Sequence, residues 1–276
     1  MKTQQQENFP VACHLFPKKD RSIITHYYNF ARYCDDIADN SDLTEKDKLQ
    51  KLDEAESSLL GIGDLSVSKA LRKDFLAENF DFSLATDLLI AFRRDAKNLS
   101  YQTWAQLLDY CKYSAAPVGR FMLALFNENP STYLPATALC SVLQIVNHLQ
   151  DLKNDITTLN RFYIPEELIK KYKVSRKALY ASSCSKNLQK LLNDVLNRTC
   201  GLLKDARVLP SIIKNFKLRI YVYITLNLTD LLINRLYHTD ILAVKVKLSV
   251  FDWLRACVKA FFQALTTKRK TLSKEL

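Results

Sequence analysis

The sequence predicts an all-α protein, and three observations predict it. Glycine occurs only four times and proline seven times in 276 residues, too few turn formers for many short strands. Hydrophobic residues make up 48% of the chain, ample for a real core. Apolar residues recur at three- and four-residue spacing through segment after segment, the signature of amphipathic helices.

In chain order that period runs through "RSIITHYYNFARYCDDIAD" (21–39), "EKDKLQKLDEAESSLLG" (45–61), "LATDLLIAFRRDAKNL" (84–99) and "WAQLLDYCKYSAAPVGRFMLALF" (104–126). It resumes in "LPATALCSVLQIVNHLQDLKNDI" (134–156) and "LQKLLNDVLNRTCGLLKDA" (188–206), and two more helical patterns cover roughly 212–236 and 250–266. "NEN" and "TYLP" read as breaks, and "PSTYLP", between Pro130 and Pro135, as the clearest loop. With no Gly-, Ser- or Pro-rich linker, repeat or low-complexity block, residues 1–276 are predicted to form a single domain.

Forty Lys and Arg against 29 Asp and Glu give a formal charge of +11, which suits an anionic partner: phosphate, nucleic acid or a membrane surface. The cysteines at 13, 34, 111, 140, 184, 200 and 257 are scattered singly with no metal-ligand spacing, and are expected to be reduced core thiols. The start "MKTQQQENFP" has no basic segment followed by an apolar run, so a secretory signal is not expected. "IYVYITLNLTDLLI" is too short for a membrane span and contains Asp230. The expected location is the cytoplasm, with peripheral contact to the inner face of the membrane.

"DDIAD" at 35–39 and "DLKND" at 151–155 each place aspartates four residues apart. Side chains step about 100° per helical residue, so positions four apart share a face. Tyr28, Arg32, Asp35 and Asp39 form one stripe. Gln144, Asn147, Asp151 and Asp155 form another, apart from the apolar stripe of Ile145, Leu149, Leu152 and Ile156. One acidic stripe is ordinarily a solvated face. Two of matched chemistry on apolar helices fit magnesium, which takes oxygen ligands and bridges carboxylates to substrate phosphates. Facing across a bundle, they would hold a diphosphate on several Mg²⁺ ions, with Arg32 and Arg161 neutralising the remaining charge. A nucleic-acid ligand would explain the net charge but leave both acidic stripes unexplained, so none is expected.

These motifs, with "NRFYIPEEL" after the second one, resemble the squalene/phytoene synthase family of head-to-head prenyl synthases over roughly residues 7–262. "ENFPVACHLFP", "AFRRD" and "YSAAPVGR" resemble most the hydroxysqualene synthase branch of bacterial hopanoid pathways. The resemblance implies a class I terpene-synthase-like bundle enclosing an apolar cavity, with Mg²⁺ held by Asp35, Asp36, Asp39, Asp151 and Asp155. It implies diphosphate contacts at Tyr28, Arg32, Gln144 and Asn147, pocket positions at Phe9, Tyr110 and Arg161, and a diphosphate- or water-positioning role for Arg120. In that branch presqualene diphosphate and water give hydroxysqualene and pyrophosphate. No dinucleotide fingerprint occurs and no NADPH is expected. Other enzymes of squalene and hopanoid synthesis are the implied protein partners.

The chain departs from the branch pattern at Ala116, where Asn is usual, at Gln150, where several relatives carry Arg, and in lacking a late Arg-Pro pair. Two other readings stand beside the leading one. One is condensation of two prenyl diphosphates to presqualene diphosphate, squalene or phytoene; the other is a non-catalytic member. His148 is expected to pack or hydrogen-bond, not to act as a base.

Overall fold

The computed structural model describes residues 15–268 and contains no strand among them. They fall into two compact units: residues up to Leu99 together with Lys112–Asn127, and Ser100–Cys111 together with Glu128 onward.

The first unit is built on α1 (Lys18–Asp39), α2 (Glu45–Leu60), α3 (Ser66–Ala77), α4 (Ser83–Ala96) and α6 (Ala116–Leu125), the last joined to it by the end of α5 (Trp104–Ser114). Helix α1 buries Ile23, Ile24, Tyr27, Phe30, Cys34 and Ile37 and packs on α3 and α4. Its register sets the site, because a helix that seats Phe30, Cys34 and Ile37 in the core turns Arg32, Asp35, Asp36 and Asp39 to its accessible side. Tyr27 stacks on Phe121 at 4.0 Å between ring centroids, and its hydroxyl donates to the Leu84 carbonyl at 2.7 Å, so the core keeps no unsatisfied phenol there. Helix α2 starts on a Thr44–Asp47 capping box and ends on Gly61 at φ +101°, a left-handed position that favours glycine.

The second unit centres on α12 (Phe216–His238), buried almost all round, against α7 (Tyr133–Thr158), α10 (Lys186–Ala206) and α13 (Val250–Thr266). Three short helices complete it: α8 (Glu166–Lys171), α9 (Arg176–Leu179) and α11 (Leu209–Ile212). The predicted apolar stripe of α7 is in the core: Ile145, Leu149, Leu152 and Ile156 are all buried. Glu128, buried as well, accepts from the Lys214 and Asn215 backbone N–H groups at 2.6–2.9 Å and so caps the start of α12.

Several local expectations change. The helix expected through 104–126 breaks at Ala115, because Pro117 has no N–H to give and its ring clashes with the carbonyl four residues back. The "PSTYLP" loop is a short 3₁₀ turn, Pro130–Thr132, that runs straight into α7, and Pro135 sits in a first helical turn where no intrahelical N–H bond is needed. Helix α3 lies in a stretch where none was predicted. Of the cysteines, Cys34 and Cys111 are buried thiols, whereas Cys257 is exposed, because it rides the outer side of α13.

Candidate active site

On α1 the expected acidic stripe is a compact charge cluster. Arg32 Nη1 donates to Asp35 Oδ2 at 2.8 Å, and its other terminal nitrogen pairs with Asp36, so one guanidinium bridges two carboxylates through i,i+3 and i,i+4 spacing. The Asp35 carboxyl, with 35% of its side chain accessible, is pushed up to about 7. Withdrawal from water is the first cause and Asp39 the next, with Asp95 and Asp36 adding to the crowding and Arg32 opposing it. The carboxylate crowding that raises Asp35 is of the kind that a divalent cation would relieve. Tyr28 lies half-buried one turn before Arg32.

On α7 the second acidic stripe carries its own counter-cation. Lys245 pairs with Asp151, Lys153 Nζ donates to the Leu242 carbonyl at 2.6 Å, and Gln150 Nε2 donates to the Val246 carbonyl at 2.9 Å. The segment from Leu242 to Val246 is thereby strapped along the acidic end of α7. Gln150 uses its amide to hold this strap. Asp155 is half-buried, and its backbone carbonyl receives the Arg161 N–H at 3.0 Å, which turns the chain back after the helix.

Around that turn the second unit gathers an aromatic cluster. The His148 ring stacks on Tyr163 at 3.5 Å, Tyr110 lies 5.4 Å from Tyr163, and Tyr101 packs on Tyr110 at 5.2 Å. Arg161, only 6% exposed, donates to the Tyr163 hydroxyl at 3.4 Å. Gln144 contacts His148 through Nε2 at 3.2 Å. Burial, then the Arg161 charge, hold His148 down at about 3, with Asp151 opposing. A neutral, stacked, hydrogen-bonded ring is the packing role expected of it. Asn147 is half-buried one residue before.

The remaining predicted residues stand apart. Arg120 is committed to Asp87 of α4 at 2.7 Å, with its Nε buried and without a hydrogen-bond partner, so it enters neither acidic set. Phe9 lies outside the described residues. Among the described residues no three His, Cys, Asp or Glu side chains converge as a ready metal cage. The fit to magnesium rests on donor chemistry: oxygen ligands only, half-exposed, and crowded enough in the first set to hold Asp35 near neutrality. Surface depressions along α2, lined by Gln50 and Asp53, hold none of these residues.

Comparison with known proteins decides the lineage. The sequence model of the squalene/phytoene synthase family matches residues 2–256. The chain belongs to the squalene/phytoene synthase family. A relative from Rhodopseudomonas palustris named hydroxysqualene synthase is 38% identical over 92% of this chain and 88% of its own length. A presqualene diphosphate synthase from Zymomonas mobilis is 28% identical over 60% of this chain and 59% of its own. The crystal structure of a squalene synthase from Alicyclobacillus acidocaldarius superimposes with a TM-score of 0.72 at 25% identity, covering 86% of this chain and 90% of that one. The fold is therefore the all-α terpene-synthase type that the resemblance implied.

Lys245 and Asp95 were not among the predicted site residues of this family member. Lys245 reaches Asp151 from 94 positions away, which no local period encodes. Asp95 lies in the "AFRRD" block, and only the packing of α4 on α1 makes its charge felt at Asp35.

Proposed function

We propose that the protein converts presqualene diphosphate and water to hydroxysqualene and pyrophosphate. The observation that carries this reading is the near full-length likeness to a hydroxysqualene synthase, deeper and longer than that to a presqualene diphosphate synthase.

In this reading residues 1–276 act as one functional domain, and Asp35, Asp36, Asp39, Asp151 and Asp155 hold several Mg²⁺ ions. Bound there, magnesium neutralises the charge that builds on the departing diphosphate. Arg32 and Arg161 add fixed positive charge, and Tyr28, Gln144 and Asn147 orient the phosphate oxygens. The C–O bond to the diphosphate breaks with both electrons leaving on oxygen. The cyclopropylcarbinyl cation rearranges, and a water oxygen bonds to carbon and releases one proton. Tyr110, within the stacked Tyr101, Tyr163 and His148 rings, offers π faces to a cation, and a neutral His148 adds no repelling charge. Arg120 positions the water only by leaving Asp87. The protein works in the cytoplasm at the inner membrane face, beside other enzymes of squalene and hopanoid synthesis, and needs no NADPH.

The test is turnover of presqualene diphosphate with Mg²⁺ in ¹⁸O-labelled water. The label is expected in the alcohol, without NADPH dependence, and farnesyl diphosphate alone should give little product. Efficient conversion of farnesyl diphosphate to a hydrocarbon or to presqualene diphosphate would overturn this branch assignment and leave the family intact.

A further inference from the structure

Helix α13 presents its apolar side outward. Val250, Phe251, Leu254, Phe261, Phe262 and Leu265 are all exposed, Phe251 to 82% and Phe262 to 61%. At about 100° per residue they fall within one arc of about 120°. The side packed on α12 is instead a row of alanines, Ala256, Ala260 and Ala264, each at most 2% exposed. An ordinary surface helix does the reverse, with large apolar residues inward and charge outward.

The orientation is fixed, so this is no loosely seated helix. Asn227 donates to Gln263 at 2.9 Å, Tyr223 and Thr267 share a hydroxyl contact at 2.6 Å, and Arg235 holds Asp252 at 2.8 Å. A Ser249–Asp252 capping box pins the N-terminal end. Helix α13 therefore cannot roll its phenylalanines inward without breaking contacts along its whole length.

Charge selects what covers this face. Arg255 and Lys259 are exposed along one edge of the apolar arc, and Lys268 follows the helix. The sequence from 268 to 276 adds Arg269, Lys270 and Lys274 against Glu275 alone. The single acid of α13, Asp252, is spent on Ser249 and Arg235. A second copy docking through the same face would bring no carboxylate to meet these cations, whereas anionic lipid headgroups meet them and the acyl boundary takes the phenylalanines. We propose that α13 is an interfacial helix that docks the protein on an anionic phospholipid surface, apolar arc down, with Arg255 and Lys259 reaching up to the headgroups. This stands apart from the choice of reaction.

Flotation of the full chain with phosphatidylcholine vesicles, with and without phosphatidylglycerol, tests it. Wild-type protein should float with the phosphatidylglycerol vesicles at low salt and dissociate as salt rises. Phe251→Ser with Phe262→Ser should weaken vesicle binding about tenfold or more while the thermal melt stays in place, because the alanine face is untouched. Arg255→Glu with Lys259→Glu should weaken binding and flatten its salt dependence. Failure of the wild type to bind at low salt would overturn the proposal, as would equal binding by the phenylalanine variant. So would a wild-type dimer that the phenylalanine variant converts to monomer, since that would identify a second copy as the occupant.

Discussion

At the residue scale the two acidic sets hold their charge differently. Arg32 lies on the same helix as Asp35 and Asp36 and moves with them, whereas Lys245 comes from a strap and can leave Asp151 without disturbing α7. Asp35→Asn and Asp151→Asn should each abolish turnover, read as loss of pyrophosphate release, while the circular dichroism spectrum stays that of the parent. Full activity in either variant would remove the metal role assigned to that set. Lys245→Met removes a tethered cation that competes for Asp151. With both groups partly exposed, the pair is worth about 0.5–1 kcal/mol, so Mg²⁺ affinity measured calorimetrically without substrate should tighten about two- to fivefold. Unchanged or weaker affinity would show that Lys245 does not guard the carboxylate.

At the element scale the helix ends carry the information that periodicity lacks. The helical period through 104–126 passes smoothly over Ala115, and only the backbone chemistry of Pro117 cuts it into α5 and α6. Conversely Pro135, which reads as a breaker, is harmless in the first turn of α7. Gly61 closes α2 at φ +101°, and a Cβ there would lie 2.8 Å from the Arg72 guanidinium, which itself donates to the Leu59 carbonyl at 3.0 Å. Gly61→Ala should therefore cost about 1–2 kcal/mol in urea unfolding, through the left-handed backbone alone, plus what the displaced Arg72 cap loses. A neutral result would mean that the turn re-forms in another geometry.

At the scale of the whole molecule, buried histidine ties stability to pH. His148 is held down at about 3 in the folded protein, against about 6.5 in the unfolded chain, so the unfolded state binds the extra proton between those values. The His148 contribution to stability should be undiminished above pH 6.5 and fall as pH drops below it, while Asp35, held up at about 7, contributes in the opposite direction over the same range. At pH 5 a fully expressed shift would cost about 2 kcal/mol, and partial exposure of the ring reduces that to about 1. His148→Asn should lower stability at pH 7 by removing the Tyr163 stack, yet lose less between pH 7 and pH 5. Equal slopes for the two proteins, from denaturant titrations at both pH values, would assign the acid sensitivity elsewhere.

The sequence alone determined the helical class, the amphipathic order of α1 and α7 and the residues on their acidic faces, because each follows from side-chain periodicity within one helix. The paired motifs and their order also carried the lineage, which the family match bears out. Tertiary structure decided what each charge meets. It committed Arg120 to Asp87, set Lys245 on Asp151, brought Asp95 close enough to raise Asp35, and packed α13 by its alanines so that its phenylalanines face out. These depend on which helices pack together and at what rotation. Local patterning fixes which face of a helix is apolar, but only the packing of the chain determines whether that face finds a partner.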